Sequence, residues 1–342
     1  MVETRLFEGG KAMIRFATVG SGWVVDTFIE AAQKAKVPME HRAIYSFSQQ
    51  GADAFGAKHP GCKIYTDLDM LAEDTDIDAV YIANPNALHY PTARKMLYNG
   101  KHVLCEKTSV VTSKQLKDLY DLADKKHLIF MEPIKSLYLP HADKIRLAMG
   151  KLGKIHMAKF DFCRYSSKFP ALLRGESPNI FNPAFATGSL MDMGIYCVYP
   201  AVSFFGVPYE VKAHAVFTQT GADLAGSALL GYPDKHVVLS WSKGSTSGHD
   251  STIHGENGVL HIETMEYFGK IYIDYNQGTR EEIAGWTPDE NPMVSETQAF
   301  ANFVRTGDAV LEYQKTKKLT TEVIALVEKI RAEAGINFPE NT

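Results

Sequence analysis

Three side chains in this sequence have the types and settings for chemistry: Lys107, Asp192 and Tyr196. Lys107 closes the run Gly100-Lys101-His102-Val103-Leu104-Cys105-Glu106-Lys107, which reads as a turn, a short buried strand and a charged pair where the strand ends. In an open α/β sheet, ligands sit outside the carboxyl ends of the strands, so a lysine there is where a bound cofactor would meet a substrate. A surface Glu-Lys pair after a core strand is the plainer reading of this run alone. Asp192 and Tyr196 lie four apart in Gly188-Ser189-Leu190-Met191-Asp192-Met193-Gly194-Ile195-Tyr196, which opens an apolar helix running to about Phe205. At that spacing they share one helix face. If buried there, both must find partners, whether for chemistry or only to tie down a loop.

The elements that must position Lys107 alternate regularly. Met13 to Val19 is a β-rich apolar run entering Gly20-Ser21-Gly22, and a helical pattern follows from Trp23 to Lys36. Strand, glycine turn and helix suit a pyrophosphate: bare backbone approaches closely and the helix offers free N–H groups and a partial positive charge. The fingerprint is incomplete, because Val25 occupies the third position of G-x-G-x-x-G and implies a slightly wider helix–strand contact. The next strand, Arg42 to Tyr45, closes at Ser46-Phe47-Ser48 with no acid to take a ribose 2′-OH. Glu40 precedes that strand and sits at the wrong end. Ser46 and Ser48 can hydrogen-bond a 2′-phosphate, which favours NADP(H) over NAD(H); alternatively they only start the following helix, Gly51 to His59.

Strands at Cys62–Tyr65, Asp78–Ala83, Val103–Leu104 and Leu128–Met131 alternate with helices at Leu68–Ala72, Leu88–Asn99 and Ser113–Lys126. Six β-α repeats over 120 residues or so predict a doubly wound parallel sheet. Asn84-Pro85-Asn86 falls at a strand's carboxyl end, with His89 three residues on. Asn84 is a candidate for a cofactor amide or ribose, Pro85 stiffens the turn, and His89 either faces a nicotinamide or caps its own helix.

After Pro133 the pattern changes. A connecting helix (Pro140–Gly150) leads to a long alternating segment, Lys154–Tyr165, read as an antiparallel-type strand. The irregular stretch Pro170–Pro183 can border a ligand cleft. Val211–Thr218, Ala225–Tyr232, Lys235–Trp241, Thr252–Gly255, Gly258–Glu263 and Gly269–Tyr275 read as strands, with a hairpin turn at Gly231–Asp234. The fold class is therefore α/β: an N-terminal Rossmann domain, residues 13–134, plus a C-terminal α/β domain, 135–342, with an open, mostly antiparallel sheet. One face of that sheet is left free as a dimer surface. Amphipathic helices at Ser295–Thr306 and Lys315–Gly335 end the chain and can pack back on the first domain.

Composition is that of a soluble globular protein: 342 residues, 45% hydrophobic and 22% charged. The net charge of -4 and the lack of a basic run do not suggest nucleic acid or a membrane surface. No stretch approaches the roughly 20 apolar residues of a membrane span. Residues 1–12 carry no signal-peptide core and read as a disordered extension. The four cysteines at 62, 105, 163 and 197 form no CxxC pair, and no His/Cys group has zinc spacing. The expectation is a reducing, cytoplasmic setting and no metal.

Gly20-Ser21-Gly22-Trp23, Ala83-Asn84-Pro85-Asn86-x-x-His89, the run ending in Glu106-Lys107, and Asp192-x-Gly194-x-Tyr196 together resemble the glucose-fructose oxidoreductase / inositol dehydrogenase / rhizopine catabolism (Gfo/Idh/MocA) family. The resemblance covers nearly the whole chain. It implies cofactor contacts from Gly20, Ser21, Gly22, Trp23, Val24, Ser46, Asn84, Pro85, His89, Glu106 and Lys107. It implies a catalytic set of Lys107, Asp192 and Tyr196, and a homodimer or homotetramer built on the second domain's sheet. Tyr196 stands where many sugar dehydrogenases of the family carry histidine, so the chain is closer to the glucose-fructose and dihydrodiol branches. Thr108 replaces the usual proline after the lysine, which implies a looser turn.

The expected reaction is hydride transfer between nicotinamide and a carbinol or carbonyl carbon of a sugar, sugar derivative or small dicarbonyl compound. Tyr196 would move the hydroxyl proton. Its ordinary pKa of about 10 is too high for a base near neutrality, and a nearby Lys107 ammonium would lower it while polarising the carbonyl. Asp192 would hold the lysine or the substrate. Arg164 and Asn182 are further substrate candidates, with Tyr165 and Lys168 near them in sequence. A redox-assisted glycosidase retaining NAD, and a silent nucleotide sensor, are the alternatives. The missing acid argues against the first, and the intact Lys107, Asp192 and Tyr196 against the second.

Overall fold

Ala79-Val80-Tyr81-Ile82 is buried at every position, the mark of a strand covered on both faces by crossover helices. The computed structural model describes residues 13–285 and 291–339; the expected extension at 1–12 lies outside the described residues. Two compact units emerge, Met1–Pro133 with Met293–Lys318, and Ile134–Pro292 with Leu319–Thr342.

In the first unit, β1 (Ile14–Val19), α1 (Trp23–Lys34), β2 (Met39–Tyr45), α2 (Gln49–Lys58), β3 (Lys63–Tyr65), α3 (Leu68–Glu73), β4 (Ala79–Ile82), α4 (His89–Tyr98), β5 (His102–Cys105), α5 (Ser113–Lys125) and β6 (Phe130–Met131) follow in order. The sheet runs β3-β2-β1-β4-β5-β6 and every pairing is parallel. Strand order reverses between β1 and β4, and ligands of such sheets bind at that switch point. β2 starts at Met39, earlier than the sequence suggests, so Glu40 lies within the strand, opposite Arg15 of β1 and still near its amino end.

The edge strand β6 is only two residues long. Tyr313 closes it: its hydroxyl accepts from Phe130 N (3.0 Å) and donates to Phe130 O (2.9 Å).

The second unit opens with α6 (Lys135–Tyr138), α7 (His141–Met149), β7 (Ile155–Cys163) and α8 (Phe169–Leu173). A π turn, Leu190–Gly194, leads into α9 (Ile195–Phe205). Then come β8 (Glu210–Phe217), β9 (Asp223–Gly231), β10 (His236–Ser242), β11 (Ser251–Gly255), β12 (Gly258–Ile262), β13 (Ile271–Tyr275) and β14 (Arg280–Ala284). Their order is β14-β13-β12-β11-β7-β10-β9-β8. The sheet is antiparallel except at its centre, where β7 pairs parallel with β10. β7, expected to be an antiparallel-type strand, is so on its β11 side and parallel on its β10 side: alternation reports one buried face but not the partner's direction. Phe160, Phe162, Leu239 and Trp241 point from these strands into a core shared with α9. The opposite face alternates polar and apolar side chains, including Leu229 and Val216. Helices α10 (Val294–Thr306) and α11 (Leu311–Ala334) complete the chain.

Candidate active site

In the first unit the chain leaves β1 at Gly20 with φ +115°. A Cβ at Gly20 would lie 2.8 Å from the Ala83 carbonyl oxygen after β4, so only glycine lets this turn lie against the neighbouring strand end. Gly22 begins α1 with no side-chain cap, and nothing lies within 4 Å of where its Cβ would point. No side chain therefore caps the first N–H groups of α1, although Val25 N donates back to Gly22 O (2.9 Å). Ser21 and Trp23 are exposed and Val24 half-buried, while Val25 is wholly buried in the helix–sheet contact.

Directly after β2 comes Ser46, buried, with its amide donating to Tyr65 O (3.1 Å). Ser48 Oγ accepts from Gly51 N (3.1 Å) and caps α2. Of the two serines considered for a 2′-phosphate, Ser48 therefore starts the helix, and Ser46 stands at the strand end.

At the end of β4, Asn84 Nδ2 donates to Thr92 Oγ1 (3.1 Å), while its Oδ1 is buried with no hydrogen-bond partner. Such an oxygen is costly unless something donates to it. Pro85 precedes a single 3-10 turn, Asn86–Leu88. His89 is buried; its Nδ1 lies 2.9 Å from Thr108 O and its Nε2 2.7 Å from Asn84 O. Burial outweighs these two carbonyls and pushes the imidazole down to about 4. His89 therefore ties the turn after β4 to the turn after β5, where the sequence left open a place facing nicotinamide.

Lys107, half-buried, follows Glu106 beyond β5. Glu106 accepts from the Tyr81 hydroxyl at 2.6 Å. Although Thr108 replaces proline, the turn is well anchored. Thr108 is buried and meets His89 through its carbonyl, and Ser109 N donates to Glu132. These features fit a dinucleotide at this end of the sheet: the uncapped helix start would take phosphate, and the unpartnered Asn84 oxygen would take an amide or hydroxyl donor.

In the second unit, Asp192 lies in the π turn and Tyr196 in the first turn of α9. Gly194 between them is forced by packing, since a Cβ there would stand 2.8 Å from Leu190 Cδ1 and 3.1 Å from the Trp241 ring. Asp223, fully buried, fixes the start of the turn; its Oδ2 accepts from Leu190 N (2.7 Å) and Trp241 Nε1 (3.2 Å). Burial pushes the Asp223 carboxyl up against these donors.

Asp192 pairs with Lys243, at the end of β10, whose side chain is fully buried. Tyr196 is buried, with Phe162 edge-on at 5.3 Å and the Lys135 ammonium 5.8 Å from its ring centre. Lys135 pairs with Glu266 at 2.7 Å, and Glu266 also pairs with Arg164, which is half-exposed. Of the remaining substrate candidates, Asn182 caps its own turn, its Oδ1 accepting from Ala184 N (3.0 Å), and Tyr165 is exposed beside Phe169.

Sequence reasoning missed Lys243, Glu266, Lys135 and Asp223. The one available signal was a lysine closing the apolar β10 strand, the same pattern that marks Lys107. Among the described residues, no group of His, Cys, Asp and Glu is arranged to hold a metal, and no helix is long and apolar enough to cross a membrane.

Comparison with known proteins bears on these features. Residues 14–133 match the model of an oxidoreductase family with an NAD-binding Rossmann fold, and residues 144–261 match the GFO/IDH/MocA C-terminal domain. The scyllo-inositol 2-dehydrogenase (NADP(+)) IolU of Bacillus subtilis is 35% identical over 328 residues, covering 96% of this chain and 99% of the relative. The mouse trans-1,2-dihydrobenzene-1,2-diol dehydrogenase is 27% identical over 343 residues, covering 96% and 99%. KijD10, a 3-ketoreductase from Actinomadura kijaniata solved with NADP, shares the fold at a TM-score of 0.80 and 20% identity, covering 94% of this chain and 98% of that one. Family models over both units and a full-length relative at that identity lead to one conclusion: the chain belongs to the GFO/IDH/MocA family of oxidoreductases.

Proposed function

We propose that the protein is an NADP(H)-dependent dehydrogenase or reductase acting on a carbinol or carbonyl carbon of a sugar, a sugar derivative or a small dicarbonyl compound. The observation that carries the reading is the uncapped start of α1 at the switch point, beside the unpartnered Asn84 Oδ1. The serines that follow β2, with no carboxylate at that end of the strand, support the 2′-phosphorylated cofactor, as does the NADP(+) in the name of IolU. That relative also makes scyllo-inositol, a polyol ring, the first substrate to try.

The first N–H groups of α1, with Gly20, Ser21, Gly22, Trp23 and Val24, would bind the pyrophosphate. Ser46 would meet the 2′-phosphate, and Asn84, Pro85 and Glu106 would line the nucleoside beyond. The bound cofactor supplies or takes the hydride. Tyr196 moves the hydroxyl proton, Lys107 supports charge on the substrate oxygen, and Asp192, braced by Lys243, orients the substrate hydroxyl. His89 acts only through the two turns that it joins, and Arg164 would act from the rim. Leu229 and Val216 on the outer sheet face support a homodimer or homotetramer.

Fluorescence titration with NADPH and NADH tests the cofactor reading, with tighter NADPH binding expected. Tyr196→Phe should lower scyllo-inositol oxidation by roughly 10²–10⁴ with little change in NADPH binding. Full turnover in that variant would refute the tyrosine assignment, and binding of neither nucleotide would refute the dehydrogenase.

A further inference from the structure

Tyr196 belongs to a closed ring of contacts within the second unit. Lys135 Nζ lies 5.8 Å from the centre of its aromatic ring and 2.7 Å from Glu266 Oε1. Glu266 pairs through its other oxygen with Arg164. The Arg164 guanidinium lies 5.2 Å from the centre of the Phe162 ring, and Phe162 meets Tyr196 edge-on. Side chains from α6, the end of β7, α9 and the segment after β12 thus close on one another.

The charges in this ring do not cancel. Burial pushes the Glu266 carboxyl up, but Lys135 and Arg164 hold it below its usual range, so it is ionised at neutral pH. Two cations and one anion leave a net positive charge beside the phenol. Lys135 and Glu266 keep only 15% and 13% of their side-chain surface exposed, so solvent screens them weakly. Asp192, from the π turn, and Lys243, just after β10, are further charged groups of this unit, and they pair with each other. Along β7, Lys159 and Asp161 alternate onto the sheet face opposite Phe162.

We propose that Lys135 is a positioning residue for proton transfer, holding the Tyr196 ring by its face and favouring the phenolate, with Glu266 and Arg164 fixing where its ammonium stands. This rests on the assignment of proton transfer to Tyr196. A cation over an aromatic face is attracted by the ring's negative quadrupole, and a phenolate strengthens that attraction. An opposite charge within about 4–6 Å commonly moves an ionisation by 1–3 units. Glu266 offsets part of this, and about one unit is the share expected of Lys135.

Lys135→Met keeps the aliphatic stem and removes the charge, and Lys135→Arg restores it. Ultraviolet difference titration of tyrosinate, each protein against its own Tyr196→Phe counterpart, isolates the one phenol and needs no substrate. The pH dependence of kcat/KM for scyllo-inositol oxidation by NADP+ runs alongside. In Lys135→Met the Tyr196 midpoint and the acidic limb of the rate profile should both rise by about one unit. That is a loss of about tenfold in kcat/KM below the limb. Lys135→Arg should return both most of the way, and Glu266→Gln should lower both, which carries the test if Lys135→Met does not fold. An unmoved midpoint in Lys135→Met, with Tyr196→Phe still inactive, overturns the role of Lys135 and leaves the tyrosine assignment standing. Equal losses in Lys135→Met and Lys135→Arg with no shift in either profile mean structural support alone, and also overturn it. Full turnover in Tyr196→Phe overturns the underlying assignment instead.

Discussion

Breaking the Asp192–Lys243 pair should cost different amounts according to which partner is removed. The lysine side chain is fully buried, whereas the aspartate keeps 32% of its surface. Asp192→Asn strips the carboxylate from a buried ammonium, and leaving a buried charge without its counter-ion costs roughly 3–5 kcal/mol. Lys243→Met fills the same volume with an apolar chain and leaves a carboxylate that water reaches. Its cost should be nearer the worth of one charged hydrogen bond, about 1.5–3 kcal/mol. For a unit of roughly 150–250 residues each kcal/mol moves Tm by about 2–4 °C. Asp192→Asn should therefore lower the second unit's Tm by about 6–20 °C, and Lys243→Met by about 3–12 °C. The double variant, which leaves neither charge, should melt closer to Lys243→Met than to Asp192→Asn. Differential scanning calorimetry gives the transitions, and the fluorescence of buried Trp241, packed on Gly194 of the same motif, identifies which belongs to this unit. If Lys243→Met melts at or below Asp192→Asn, the burial argument is wrong.

Gly20→Ala places a Cβ against the Ala83 carbonyl at a φ that side chains rarely adopt. NADPH affinity, read by fluorescence titration, should fall by roughly 5- to 150-fold, the equivalent of a strain of 1–3 kcal/mol, while the second unit's Tm is unchanged. His41, His89 and His102 are each pushed down to about 4 by burial. Unfolded, they titrate at about 6.5, so below that pH the unfolded chain binds more protons than the folded one. The first unit's stability should be full above about pH 6.5 and fall as pH drops towards 4. Thermal scans across that window check this, and a flat profile would count against it.

The parts of this fold that repeat locally were legible in the sequence. Strand after strand of the first unit ends in a turn whose residues announce themselves, and Lys107 is marked by its place after Cys105 and Glu106. Element boundaries moved by a few residues, as with β2, whose polar start Met39-Glu40-His41 hides its strand character. The strand β14 went unread because Arg-Glu-Glu-Ile-Ala is what an edge strand carries when charge protects it from pairing. The partners of the chemistry-bearing residues were less visible still. Lys243 lies 51 residues from Asp192 and Glu266 lies 131 from Lys135, separations that only sheet order brings together. The π turn has no signature either, since Gly194 reads as a helix-weakening residue until the Trp241 ring is seen against it.

Tyr313 has a consequence for where the dinucleotide-binding unit ends. Its phenol gives and takes one hydrogen bond each with the Phe130 peptide, which is what the next strand of the sheet would have done. A side chain from 183 residues further along the chain thus fills a seventh place in a six-stranded sheet. Any segment cut after Pro133 would contain all six strands and the whole glycine turn, yet would present β6 as an open template for foreign strands. The last strand is finished by a residue that the ribosome adds long after the sheet itself has been made.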